Sequence, residues 1–131
     1  MKTYLLETDF LIDLFKKRPE AIEIIQKLSS IGDIVTSVLS VSELRSGWDK
    51  NEATLYLPQL YAIAQTIPVT REVAEKAGEL RYNYSKKGQV LPTVDTLIAA
   101  TCIISSYCLV TRNIRHYPIS EIDVFSKKNI E

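Results

Sequence analysis

Acidic side chains occur in three apolar segments of this sequence. Glu7 ends Tyr-Leu-Leu-Glu, Glu43 follows Ser-Val-Ser, and Asp95 lies within Val-Asp-Thr-Leu-Ile. A carboxylate beside a hydrophobic core needs a partner, because an unpaired buried charge is costly. The chain has one histidine and no cysteine cluster, so oxygen ligands predominate and favour Mg²⁺ or Mn²⁺ over zinc. These residues therefore predict a divalent-metal site.

Two further polar residues, Asn113 and His116, follow an apolar segment that ends at Thr111. The carbonyl oxygen of Asn113 can bind a metal ion or hold a water molecule. The imidazole of His116 can assist proton transfer near neutral pH. We therefore count both among the candidate catalytic residues, with Asn113 also a candidate ligand.

Each of these acids also has a simpler structural interpretation. Residues 40–43 match a capping box, in which Glu43 would only satisfy the start of its helix. The helix dipole favours Asp95 near a helix start, and Asp9 suits an N-cap. Spacing therefore predicts that the acids converge, but spacing alone does not specify a nuclease.

Alternating elements would bring the acids together. Strands are predicted at residues 3–6, 33–36, 67–69, 108–111 and 122–125. Helices are predicted from an Asp9 N-cap to 15, from 19 to Gly32, across 41–45, across 52–65, from a Thr70 cap to 88, and from 92 to 103. Pro58 should split the fourth helix into two short helices or kink it.

A helix between two successive strands forces a parallel crossover. The pattern predicts such a helix for every pair of strands except the last, whose relative direction it does not decide. The sequence therefore predicts a single domain, residues 1–131, with a three-layer α/β/α architecture around a mostly parallel sheet of four or five short strands. Such sheets bind ligands beyond the carboxyl ends of their strands. Glu7 and Asn113 fall at that edge.

The composition limits the partners and the compartment. Sixteen basic and sixteen acidic residues give a net charge of zero, so nucleic-acid binding would need local basic clusters. Arg45, Arg112 and Arg115 are candidates for such a cluster, and ordinary solvated surface charge is the alternative interpretation of all three. Cys102 and Cys108 are interpreted as buried hydrophobes of a reducing compartment. No apolar run reaches the roughly 20 residues of a membrane span. We expect a cytoplasmic protein that does not enter membranes.

Four segments together resemble the PIN-domain family, particularly the VapC toxins of prokaryotic toxin–antitoxin pairs. They are residues 4–13, 42–47, 92–100 and 109–117, in the family's order and over nearly the whole chain. The resemblance implies a metal-dependent endoribonuclease, a homodimer, and inhibition by a cognate VapB-like antitoxin. It also implies that Glu43 and Asp95 are metal ligands and that Thr111 shapes the pocket behind the metal.

The chain departs from the family pattern at two places. Glu7 stands where the family has Asp, which moves the carboxylate by one methylene group. The family often has Asp near the position of Asn113 or of His116. An alternative function is therefore a catalytically weak PIN-like module that binds RNA or an antitoxin. A phosphatase of the haloacid dehalogenase type is disfavoured, because its nucleophile must be Asp and Glu7 fills that place.

Overall fold

A five-stranded parallel sheet forms the centre of the computed structural model, which describes residues 1–125. The strands are β1 (Lys2–Leu6), β2 (Gly32–Ser37), β3 (Gln65–Ile67), β4 (Cys108–Val110) and β5 (Asp123–Val124). Their order across the sheet is β3-β2-β1-β4-β5, and every neighbouring pair is parallel. The last six residues of the predicted domain, 126–131, lie outside the described residues.

Helices connect most of these strands, as the alternating pattern predicted. They are α1 (Thr8–Phe15), α2 (Pro19–Ile31), α3 (Val38–Ser46), α4 (Lys50–Ile63), α5 (Arg71–Lys86) and α6 (Thr93–Ser105). A short 3-10 helix, Ile114–His116, lies between β4 and β5. The Thr70 side chain caps α5, as expected, by accepting from the backbone N–H of Val73 at 3.1 Å. Of the helices in residues 1–125, none is long and apolar enough to cross a membrane.

The sheet separates two hydrophobic cores, which accounts for the three layers. Along β1, Leu5 belongs to the core that includes Leu80 and Ile98 of α5 and α6. Its neighbours Tyr4 and Leu6 belong to the other core, against residues of α1, α2, α3 and α4. Successive strand side chains point to opposite faces, so a strand covered on both sides must be apolar throughout. The predicted α/β/α fold is confirmed.

The α4 helix runs unbroken through Pro58, so the prediction of two short helices is wrong. Proline removes one backbone donor and leaves the carbonyl four residues earlier, that of Thr54, without its helical partner. Both Pro58 and Thr54 are exposed, so water can satisfy that carbonyl. The helix start is also held by a capping box between Asp49 and Glu52.

Gly32 allows β1 and β2 to come together at the start of their pairing, where Gly32 lies opposite Lys2. A Cβ atom on Gly32 would lie 2.4 Å from the Lys2 carbonyl oxygen and 2.7 Å from the Tyr4 ring. The first contact is with backbone, which cannot rotate aside. Glycine here is a requirement of close approach, although the sequence pattern indicated only a helix stop.

Candidate active site

The candidate site lies at the carboxyl ends of β1 and β4. The strand β1 has β2 on one side and β4 on the other, so the chain reverses its direction of winding here. Such a switch point is where open parallel sheets form their ligand crevices. The backbone N–H of Glu7 donates to the Val110 carbonyl at 3.0 Å and extends the pairing one residue past the end of β1.

Glu7 is the N-cap of α1 as well as a candidate ligand. Its side chain is 7% exposed. Its Oε2 accepts from the backbone N–H of Asp9 at 3.2 Å and from the Thr111 hydroxyl at 3.1 Å. The sequence placed the cap at Asp9, which is wrong, because α1 begins at Thr8 directly after β1 and the cap falls one residue after the strand.

Asp9 instead belongs to the acidic site. Its Oδ1 lies 3.3 Å from the Thr111 hydroxyl and accepts from the backbone N–H of Arg112 at 3.4 Å. Its Oδ2 accepts a short hydrogen bond from the side-chain amide of Asn113. The Thr111 oxygen in turn accepts from the Asn113 backbone N–H at 3.0 Å. One hydrogen-bonded network thus joins the end of β1 to the loop after β4.

Glu43 reaches the same region from α3. The Thr8 hydroxyl donates to Glu43 Oε1 at 2.6 Å and lies 2.8 Å from the hydroxyl of Ser40. The predicted capping box at residues 40–43 is wrong. The helix begins immediately after β2 and is capped by Ser37, which accepts from the Leu39 N–H at 3.1 Å. Ser40 is therefore fully buried within the helix, and Glu43 is exposed on its second turn.

Asp95 stands in the first turn of α6, close enough for the other acids to affect it. Burial raises the pKa of Asp95, and the negative charges of Glu43 and Asp9 raise it further, while His116 opposes them. Asp95, Arg115 and His116 together line a cleft of about 260 Å³. The structure thus places four of the predicted residues, namely Glu7, Glu43, Asp95 and Asn113, around one edge of the sheet, with His116 beside Asp95.

Glu7 and Asp9, the two acids at the start of α1, have pKa values that are shifted in opposite directions. Burial raises the pKa of Glu7 to about 8, and the neighbouring Asp9 carboxylate contributes to the rise. Burial alone would also raise the pKa of Asp9, but hydrogen bonds from the Glu7 carboxyl and the Arg112 backbone hold it below its ordinary value. At neutral pH, Glu7 therefore carries the proton and Asp9 the negative charge.

The candidate ligand atoms are of the kind that a hard divalent cation prefers, although the acidic side chains lie too far apart to enclose one in this conformation. Within residues 1–125, no three His, Cys, Asp or Glu side chains lie close enough to hold a metal ion as they stand. The candidates nevertheless offer only carboxylate and amide oxygens, which Mg²⁺ and Mn²⁺ prefer. A cation would also favour the charged form of Glu7, against the burial that raises its pKa.

The three candidate RNA-binding arginines differ in their partners. Arg112 donates to Asp13 Oδ1 at 2.7 Å, and Arg45 donates to the Trp48 carbonyl at 2.6 Å. Arg115, on the 3-10 helix, is exposed and makes no ion pair within the part of the chain that the structure describes. Of the three arginines, Arg115 lines the same cleft as Asp95, and no carboxylate of the described residues forms an ion pair with its guanidinium.

A family model described as PIN domain matches residues 4–122 of the chain. The chain belongs to the PIN domain family. Ribonuclease VapC19 of Mycobacterium tuberculosis is 31% identical over 116 residues, which is 88% of this chain and 92% of that protein. Ribonuclease VapC1 of Methanocaldococcus jannaschii is 26% identical over 113 residues, 86% of this chain and 77% of that protein.

The fold of this PIN domain is also that of a solved structure. In the crystal structure of VapBC2 from Rickettsia felis, bound to a DNA fragment from its promoter, one chain superimposes with a TM-score of 0.85. The sequences are 24% identical, and the match covers 94% of this chain and 97% of that chain. At that identity the likeness establishes the fold.

Sequence reasoning missed three residues of the site in this PIN domain. The sequence pattern predicts Asp9 as a cap, although its position two residues after Glu7 in the segment Glu-Thr-Asp signals that both acids flank one helix start. Thr8 lies between them and joins Glu43 to the site. Tyr117, which is buried near the acids, carried no signal, because an aromatic residue after a strand indicates only core packing.

Proposed function

We propose that this PIN domain is a metal-dependent endoribonuclease and the toxin of a VapBC-type toxin–antitoxin pair. The network that unites Glu7, Asp9, Thr111 and Asn113, with Glu43 adjoining through Thr8, is the observation that carries the proposal. A domain that only packed its core would not collect carboxyl groups at the switch point of its sheet. The relatives named as ribonucleases support RNA as the substrate.

Glu7, Glu43 and Asp95 would hold Mg²⁺ or Mn²⁺, with Asn113 contributing its carbonyl oxygen. When bound, such an ion activates water as a nucleophile and offsets charge on a phosphate, which is the chemistry that hydrolysis of RNA requires. Asp9 and Thr111 hold Glu7 and Asn113 in place. The expected products carry a 5′-phosphate and a 3′-hydroxyl.

The remaining candidates act on the RNA. Arg115 and Arg112 border the acidic site and would bind phosphates, whose negative charge the carboxylates would otherwise repel. Arg45 would have to release the Trp48 carbonyl before it took part. His116, exposed beside Asp95, would exchange a proton with the leaving oxygen.

A VapB-like antitoxin and a second copy of the chain complete the proposed assembly, which would act in the cytoplasm. Several structures with this fold are of VapBC complexes, including those from Rickettsia felis and Salmonella typhimurium. On this chain Phe15, Trp48 and Tyr56 form a half-buried aromatic cluster, with ring centroids 5.2 to 5.5 Å apart. We propose that the antitoxin packs near these rings.

Cleavage of RNA by the purified chain tests this function directly. With Mn²⁺ or Mg²⁺ the protein should cut a structured RNA, and Asp95→Asn should abolish the cutting. Asp33→Asn is the matched control, because Asp33 is exposed near the amino end of β2, at the opposite edge of the sheet. Cutting that survives both EDTA and Asp95→Asn would reject the metal mechanism.

The alternative, a catalytically weak binding module, is supported by the longer side chain of Glu7 and by the burial that raises its pKa to about 8. Replacement of Glu7 by Asp distinguishes the two functions. A large gain in cleavage would identify the present chain as an attenuated enzyme. If Glu7→Asp stays inactive while the protein still binds an antitoxin, the binding function is supported instead.

A further inference from the structure

Tyr117 is buried beside the candidate site with its hydroxyl unpaired. The residue follows the 3-10 helix, is 4% exposed, and belongs to the core that contains Leu5 and Leu109. Among the buried side-chain nitrogen and oxygen atoms of residues 1–125, the Tyr117 hydroxyl is the one without a hydrogen-bond partner. A phenylalanine would fill the same volume without this unpaired oxygen.

Burying a hydroxyl without a hydrogen-bond partner lowers the stability of the fold, so the presence of this hydroxyl is not explained by core packing. Such a group loses its hydrogen bonds to water and gains none in return, so nearly all buried polar atoms in proteins are paired. The other tyrosine of the same core follows the rule, because the Tyr84 hydroxyl accepts from the Ser120 backbone N–H at 3.3 Å. The Tyr117 hydroxyl therefore calls for a partner outside the folded chain.

The groups around this hydroxyl are the acids of the candidate site. Burial raises the pKa of Tyr117, and the negative charges of Glu7, Asp95 and Asp9 raise it further. These carboxyl groups come from the end of β1, the start of α1 and the start of α6, so the buried, unpaired hydroxyl lies within reach of the charges of the candidate site. It stays protonated there and is available as a donor.

We propose that the Tyr117 hydroxyl positions an oxygen atom of the ligand shell, either a water on the bound cation or a phosphate oxygen of RNA. The proposal rests on the proposed function, because both oxygens enter the site only with cation or substrate. Tyr117 is a positioning residue in this scheme. Its hydroxyl donates one hydrogen bond and exchanges no proton.

The test compares Tyr117→Phe with Tyr84→Phe, which removes a paired hydroxyl from the same core. Thermal unfolding is measured in EDTA and in Mn²⁺, and Mn²⁺ affinity is measured by calorimetry. In EDTA, Tyr117→Phe should unfold at the same temperature as the wild type or higher. If the partner oxygen is a water on the cation, the stabilisation by Mn²⁺ should then be smaller than in the wild type. Tyr84→Phe should unfold at a lower temperature and keep the full response to Mn²⁺.

A second measurement identifies the oxygen. If it belongs to a water on the cation, Tyr117→Phe should weaken Mn²⁺ binding by about 3- to 10-fold without RNA, as for a lost hydrogen bond. If it belongs to phosphate, Mn²⁺ binding should be unchanged, and Tyr117→Phe should weaken the binding of labelled RNA by a similar factor in the non-cleaving Asp95→Asn background.

Two outcomes would overturn the proposal in distinguishable ways. If Mn²⁺ stabilises the wild type and Tyr117→Phe equally, and RNA binding is also equal, the hydroxyl has no ligand partner and only this inference fails. If Mn²⁺ neither binds nor stabilises the wild type, the metal-dependent function fails together with the inference.

Discussion

Thr8 shows how one small side chain can organise several acids. It lies between Glu7 and Asp9 in the chain, yet its hydroxyl turns away from both and contacts Glu43 and Ser40 of α3. The donor is buried, so water cannot easily replace it. Thr8 therefore fixes Glu43 relative to the acids of α1.

Substitution of Thr8 by Val tests this role. Valine keeps the shape but removes the donor, so the Glu43 carboxylate should become free to rotate. Loss of such a supporting hydrogen bond lowers metal affinity or activity by roughly 10- to 100-fold in metalloenzymes, and we expect a fall of that size in RNA cleavage. Circular dichroism should show an unchanged fold.

Thr8→Ser is the control for that substitution, because it retains the hydroxyl and should keep most of the activity. Equal activity in Thr8→Val and Thr8→Ser would show that Glu43 does not depend on Thr8.

At the scale of residues, the sequence predicted the acids that follow strands but not the bonds among them. Glu7, Glu43, Asp95 and Asn113 lie at the predicted edge, because that placement depends only on element order. The roles of Asp9 and Thr8 depend on which residue is the N-cap. A shift of two residues in the N-cap of α1, from Asp9 to Glu7, was enough to hide both.

At the scale of elements, two glycines differ in the space available for a side chain, since one is tightly packed in a strand and the other is open to solvent in a helix. Gly32 begins β2 against β1, where a Cβ atom would meet the Lys2 carbonyl oxygen at 2.4 Å. Gly78 lies within α5, is exposed, and has open space where its Cβ would be. The same substitution should therefore change stability in opposite directions.

Gly32→Ala should lower the free energy of unfolding by about 1–3 kcal/mol, because the sheet must shift to relieve the clash. Gly78→Ala should raise it by about 0.5–1 kcal/mol, because alanine costs less backbone entropy in a helix. Urea denaturation followed by circular dichroism measures both. A stable Gly32→Ala variant would mean that β1 and β2 can separate at no cost.

Element types were predictable because hydrophobic period and length decide them. The helix boundaries were harder to predict where a helix follows a strand without a loop, as at Glu7 and Ser37. There the N-cap residue is decided by where the strand ends. The break predicted at Pro58 is absent, because the cost of the proline is small at this position. A proline on the exposed face of a capped helix costs one hydrogen bond, which packing of the opposite face outweighs.

At the scale of the whole molecule, the sheet separates the two cysteines into different cores. Cys102 belongs to one core and Cys108 to the other, and they are 2% and 3% exposed. Burial raises the pKa of Cys102 to about 12 and that of Cys108 to about 11. Both thiols should therefore report on the integrity of the fold.

Ellman's reagent should react with neither cysteine in the native protein at pH 8. Only the thiolate reacts, and a thiol whose pKa lies three units above the solution pH is ionised to about one part in a thousand. Both thiols should become reactive in guanidinium as the protein unfolds. Rapid reaction of one thiol under native conditions would show that its core opens locally.

The partnership of β1 with β4 joins the first strand to one that begins about a hundred residues later, for example Tyr4 with Cys108. During translation, Thr111 and Asn113 emerge from the ribosome about a hundred residues after Glu7 and Asp9. A chain that stopped before β4 would keep Glu7 and Asp9 but lack their partners Thr111 and Asn113. The complete network can therefore form only after β4 has been made and has paired with β1.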